Sequence, residues 1–144
     1  MNDAVIENYK KANPKRNVAV IGLRNNSRKI LLVRTRKLPD AWQPVGGGIK
    51  AVDTSAEGAV IREVKEEIGI DINPSSLNLK LTVPYDFGEG NIYFFEATLQ
   101  QGLQLSVDST EILECRWFNL REAELLPAFP ATKQFLKLLA TENS

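Results

Sequence analysis

Histidine is absent from the 144 residues, and cysteine and methionine occur once each. Without histidine, imidazole cannot activate water, so any such step must rest on carboxylates or a metal. A single cysteine, Cys115, excludes an internal disulfide and fits a reducing compartment, so a cytoplasmic protein is expected. Long apolar runs are also missing. The longest are strand-length, such as Ile30 to Val33, against the roughly 20 residues needed to cross a bilayer. The opening MNDAVIENYKKANPKRN has no apolar core of signal-peptide length. Formal net charge is zero, which argues against general nucleic-acid binding.

That zero conceals a polarity. Residues 1–50 hold 11 Lys and Arg against 3 Asp and Glu, and the remainder holds 7 against 15. A fold that brings the halves together could set a cationic wall opposite an acidic one, which suits a metal bound to an anion. Mutual neutralisation across the surface is the plainer reading.

Length fits one domain. Residues 1–16 are polar, basic and weakly patterned, and are expected to form an N-terminal arm, with a single domain over 17–144. Asn17–Leu23 and Lys29–Arg36 read as strands joined by the Asn25-Asn26-Ser27 turn. Residues 37–52 read as a Pro- and Gly-rich loop containing Trp42. Thr54–Ile68 reads as a helix, with Thr54 and Glu57 matching a capping box and Gly69 at its C-terminal end. Further strands are expected at 77–83, 91–99 and 111–118, and a closing helix at 131–140. Strands on both sides of one long helix give an α/β fold with a mixed sheet between helices.

The chemistry concentrates in GGGIKAVDTSAEGAVIREVKEEIGI, residues 46–70. On a helix, Glu63, Glu66 and Glu67 fall within one sector of roughly 100°, beside an apolar stripe of Val60, Ile61, Val64 and Ile68. Three clustered carboxylates repel one another unless a cation joins them, and Mg²⁺ prefers such oxygens. Alone, the three glutamates fit better a solvated acidic face balanced by Arg62 and Lys65. Likewise Gly46-Gly47-Gly48 alone is a turn signal. Their fixed spacing to the acidic helix is what carries information.

That spacing resembles the Nudix box, G-x5-E-x7-R-E-U-x-E-E-x-G-U, where U is a bulky aliphatic residue. The chain reads Gly48-x5-Thr54-x7-Arg62-Glu63-Val64-x-Glu66-Glu67-x-Gly69-Ile70, with Thr54 as the one departure. The upstream hairpin, Trp42 ahead of the glycines, and the late Arg116-Trp117-Phe118 also resemble Nudix domains. The resemblance implies an α/β/α sandwich and a hydrolase cleaving the diphosphate linkage of a nucleotide-linked small molecule with Mg²⁺, or with Mn²⁺ in its place. It implies that Arg62 orients Glu63, that Glu63, Glu66 and Glu67 bind metal or handle the attacking water, and that the backbone carbonyl near Gly48 is a further ligand. The partner is then a small nucleotide, with no membrane and no general nucleic-acid binding. A homodimer is open on this reading.

Thr54 stands where the family has its first glutamate, and Asp53 could fill that seat if the loop shifts. The departure leaves room for an alternative, a catalytically impaired Nudix-fold nucleotide-binding or regulatory module. For a remote catalytic carboxylate Glu111 is the choice, ahead of Glu114 and Glu89. Arg34 and Arg36 alternate along one strand and are candidates for phosphate oxygens. Tyr85, Phe87 and Trp42 are candidates for stacking on a base. For each of these, ordinary packing or surface charge is the competing explanation.

Overall fold

The computed structural model describes residues 2–142. Met1 and the last two residues of the expected domain lie outside them. Strands β1 (Val18–Arg24) and β2 (Ile30–Thr35) are antiparallel, as the turn signal requires, but they pair in register only at Arg24↔Ile30. Beyond that point they diverge, and β3 (Val45–Gly48) pairs with β1 instead, from Val18↔Gly48 to Ile21↔Val45. Gln43, just ahead of β3, exchanges both backbone hydrogen bonds with Val33 of β2 at 2.8 Å.

Residues 45–48 were expected as loop, because glycine ordinarily weakens strands. Here glycine is what permits the strand. Gly46 has φ 147°, and a Cβ there would lie 2.2 Å from the Ala19 carbonyl oxygen. Only a residue without a side chain can approach β1 so closely in that conformation.

On the other side of β1 runs β5 (Asn91–Thr98), parallel to it over its whole length, with β4 (Asn78–Pro84) antiparallel outside β5. Outside β2 lies β6 (Ile112–Phe118), which completes the order β4-β5-β1-β2-β6. Central strands of a mixed sheet are covered on both faces, and all of β1 after Val18 is buried. Ala19, Ile21 and Leu23 face one core with Val60, Val64 and Ile68 of helix α2 (Ala56–Ile68). Val20, Ile30 and Leu32 face a second core with Phe135, Leu136 and Leu139 of the closing helix (Pro130–Glu142). The architecture is therefore the expected α/β/α sandwich.

Two shorter α-helices were not anticipated. Residues 3–12, inside the expected arm, form helix α1 (Asp3–Ala12), whose N-terminal amides are capped by the Asn2 side chain. None of its residues is buried, and it docks through Ile6 and Tyr9 beside Leu38, Phe87 and Phe129. Leu120–Glu124 forms helix α3, with a capping box between Asn119 and Glu122, and the closing helix is α4. The start of α2 also needs correction. Its N-cap is Ser55, whose hydroxyl accepts the Gly58 N–H at 3.0 Å, and Thr54 is exposed. Gly69 closes α2 in the left-handed conformation, as expected.

Candidate active site

Arg62 organises the acidic helix. Its Nε and Nη2 donate to the two oxygens of Asp53 at 2.9 and 2.8 Å. Its Nη1 donates to Glu63 at 3.1 Å and to Glu66 at 3.2 Å, while Nη2 also reaches the Gly48 carbonyl at 3.2 Å. The forked guanidinium is suited to this task because its donors lie in one plane. Asp53 additionally accepts the Lys50 N–H at 2.8 Å, which folds the loop back onto the helix. So the seat that the sequence left open between Thr54 and Asp53 is taken by Asp53. Arg62 first, then the Lys50 amide, hold the Asp53 carboxyl down at about 2, and the same contact raises Arg62.

Glu63 and Glu67 lie one helical turn apart and are buried, and both line a cavity of about 220 Å³. The strand glycines make the space. A Cβ on Gly47 would lie 2.9 Å from a Glu63 carboxylate oxygen, and the Gly46 N–H donates to Glu67 at 3.3 Å. Burial, and after it the charge and hydrogen bonding of Glu63, push the Glu67 carboxyl from its ordinary 4.5 up to about 9. A folded-state value raised in this way favours folding fully below pH 4.5 and loses that contribution as pH rises toward 9. Protein kept free of metal by chelator is therefore expected to melt at falling temperature between pH 5 and pH 9. Glu67→Gln should flatten the decline, and parallel curves for the two proteins would show that Glu67 is not its source.

Other expected residues divide between the cavity and the frame. Arg36, Phe87 and Glu111 line the cavity, together with Arg16 and Lys37. Arg34, Trp42 and Tyr85 do not. Arg34 lies opposite Glu114 in the β2–β6 register, donates to it at 2.9 Å, and also donates to the Pro39 carbonyl at 2.7 Å. Trp42 is buried edge-to-face on Phe118, and the Tyr85 hydroxyl donates to the Asn13 carbonyl at 3.0 Å. Glu66 is half exposed and pairs with Arg62, and the Gly48 carbonyl accepts from Arg62; neither residue lines the cavity. Glu114 and Glu89 are paired with Arg34 and Lys15. Sequence reasoning missed Arg16, whose guanidinium packs on Gly48 and donates to the Tyr9 hydroxyl. The surplus of basic residues near the N-terminus was the only signal for it.

Among the described residues no group of three ligating side chains is gathered tightly enough to enclose a metal. Mg²⁺, however, is commonly held by one or two carboxylates, with waters and substrate phosphates completing its shell. Glu63 and Glu67 fit that demand. They supply only oxygen, they are desolvated, and the raised Glu67 shows that the protein's own groups do little to stabilise a negative charge there, a role a cation would fill.

The family model for the NUDIX domain matches residues 13–139. The chain belongs to the Nudix family. It is 32% identical over 98 residues to the NAD-capped RNA hydrolase NudC of Salmonella heidelberg, covering 68% of this chain and 37% of that protein. It is 34% identical over 62 residues to the dihydroneopterin triphosphate diphosphatase of Escherichia coli, covering 43% of this chain and 41% of that protein. The chain thus spans less than half the length of these curated relatives. Among solved structures, the NUDIX domain of Shewanella oneidensis NrtR complexed with ADP ribose superposes with a TM-score of 0.74 over 100% of both chains at 19% identity. A MutT protein from Methanosarcina mazei gives 0.73 over 91% of this chain and 96% of that one at 23% identity. These two likenesses speak for the Nudix fold. Members of the family generally use divalent metal ions. No helix among the described residues is long and apolar enough to cross a membrane.

Proposed function

We propose that this Nudix protein is a magnesium-dependent hydrolase that cleaves the diphosphate linkage of a nucleotide-linked small molecule in the cytoplasm. The observation that carries the proposal is one cavity lined both by two buried glutamates and by Arg16, Arg36 and Lys37. Anionic phosphates in this cavity meet both cationic side chains and carboxylates suited to a hard cation. The names of the relatives, which include an NAD-capped RNA hydrolase and a dihydroneopterin triphosphate diphosphatase, favour the same bond type.

In this reading Glu63 and Glu67 hold the metal. When bound, Mg²⁺ neutralises charge on the phosphate oxygens and acidifies water. Arg62, anchored by Asp53, fixes the Glu63 carboxylate so that it need not reorganise during the reaction. Arg16, Arg36 and Lys37 stabilise the charge that builds on the transferred phosphoryl group. Glu111 lines the cavity from the segment that enters β6, and its carboxylate takes the proton from the attacking water.

A panel of nucleoside triphosphates, nucleotide sugars, dinucleoside polyphosphates and ADP-ribose is the direct test, with phosphate release and product identity read together. Hydrolysis of at least one member is expected with Mg²⁺, and with Mn²⁺ in its place, and excess chelator should abolish it. Full turnover in chelator would remove the metal from the mechanism. Binding without turnover across the panel would favour the regulatory-module reading.

A further inference from the structure

We propose that helix α1, which precedes the stretch matched by the Nudix model, is a working wall of the cavity, and that Tyr9 on it contacts the base of the bound nucleotide. This deepens the proposed function, since it takes the cavity to be a nucleotide site.

Helix α1 adds no buried residue to either core of the sandwich. It has 10 residues, and a helix of that length is marginal in water, so tertiary contacts must hold it. Those contacts converge on the cavity. Ile6 and Tyr9 pack beside Leu38, Phe87 and Phe129, and these three residues line it. At the other end of the helix, the Tyr85 hydroxyl donates to the carbonyl of the capping Asn13 at 3.0 Å. The Asn2 N–H donates to Asp40 at 3.1 Å, in the loop that also carries Arg36 and Lys37. Within α1, Tyr9 is the residue that lines the cavity.

The Tyr9 ring meets Phe87 edge-to-face, with centroids 5.2 Å apart, and Phe129 meets Phe87 likewise at 4.8 Å. Tyr9 and Phe87 are only partly buried, so ring surface is left open to a ligand. Such faces suit a flat heterocycle, because every base has a π-face to stack. The hydroxyl fixes the Tyr9 ring. It accepts from Arg16 Nη1, and the Arg16 guanidinium packs on Gly48 of β3. Arg16 is one of the phosphate-binding cations in the reading above, and it meets Tyr9 at the hydroxyl tip. A 5′-nucleotide carries its phosphate one ribose away from its base. A phosphate drawn to Arg16 therefore leaves the base within reach of the Tyr9 and Phe87 rings. A leucine at position 9 would fill the space beside Phe87 as well, but would offer neither a flat face nor a partner for Arg16.

Nucleoside 5′-monophosphates contain no anhydride, so calorimetric titration with Mg²⁺ present measures binding alone. AMP and GMP probe base and phosphate together, and ribose 5-phosphate probes the phosphate without a base. Tyr9→Ala is expected to lower affinity for both nucleotides at least about fivefold more than for ribose 5-phosphate, the lower end of what losing one base-stacking ring costs. Tyr9→Phe keeps the ring, and should hold the nucleotide-to-sugar affinity ratio within about twofold of the unaltered protein. Contact can also be read directly. The chain has 3 tyrosines, Tyr9, Tyr85 and Tyr93, so isotope labelling of tyrosine gives a spectrum that the Tyr9→Phe variant assigns. Nuclear Overhauser contacts between the Tyr9 ring and the base protons of AMP are expected. An unchanged ratio in Tyr9→Ala, or Tyr9 contacts confined to the ribose, overturns the inference and leaves Tyr9 a strut for Arg16. Nucleotides that bind the unaltered protein no more tightly than ribose 5-phosphate overturn it too. Tyr9–base contacts in a protein that cleaves no anhydride would sink the hydrolase reading and leave this one standing. Cleavage of the nucleotide panel with the same KM in Tyr9→Ala as in the unaltered protein would do the reverse.

Discussion

Glu67→Gln and Glu63→Gln are each expected to lower turnover by at least about a hundredfold, whereas Glu66→Gln should cost less than about tenfold. All three glutamates belong to the Nudix box, and on a bare helical wheel they share one sector. The fold separates them. Glu63 and Glu67 are buried in the cavity wall against Gly47 and Gly46, while the Glu66 side chain is 54% exposed and pairs with Arg62. A hundredfold corresponds to about 2.7 kcal/mol, a reasonable loss when a carboxylate ligand is removed from a metal that holds phosphate charge. Folding should survive both buried changes, since glutamine keeps the shape and relieves the repulsion between the two carboxylates. The measurement is kcat at saturating Mg²⁺ on whichever compound the panel identifies, alongside metal affinity by titration. If Glu66→Gln proved as damaging as Glu67→Gln, the metal would have to sit on the outer side of α2.

Much of this arrangement was legible because it is local. The acidic helix, its Gly69 terminus and five of the strands follow from period and turn chemistry within short windows. What escaped was set by distant partners. Strand β3 is visible only once β1 lies beside it, because its glycines read as a turn until a backbone approaches within van der Waals distance of Gly46. Arg34 looked like a phosphate ligand because the β2–β6 register, which sets Glu114 opposite it, cannot be read from either strand alone. Trp42 looked like a stacking residue for the same reason, its Phe118 partner being far along the chain. No residue of helix α1 is fully buried, and Ile6 and Tyr9 dock only on residues distant in sequence, so the helix was missed, and with it Tyr9 and the Arg16 that follows it. Ser55 and Thr54 are both competent caps, and the choice between them followed from how the loop turned to bring Asp53 to Arg62.

Asp53→Ala is expected to lower turnover by roughly ten- to a hundredfold, the range typical when a partner that orients a metal ligand is lost. Thr54→Ala should be close to neutral. Arg62 divides its donors among Asp53, Glu63 and Glu66, and its two shortest bonds go to Asp53. Because the Asp53 carboxyl is held at about 2, it stays ionised throughout any neutral or mildly acidic assay, so it draws Arg62 constantly. Without it the guanidinium leans on Glu63 and competes there with the metal, so weaker Mg²⁺ affinity should accompany the loss of turnover. Thr54 is exposed and does not cap α2, so its removal disturbs neither pairing nor helix start. The informative variant is the double change Asp53→Ala with Thr54→Glu, which puts a carboxylate back at the position the box prescribes. Partial recovery of metal affinity and turnover is expected, because a carboxylate before the first turn is also favoured by the helix dipole. Should Thr54→Ala cost more than Asp53→Ala, with both proteins folded, the threonine would hold the seat and the Asp53–Arg62 pair would be only a loop clasp.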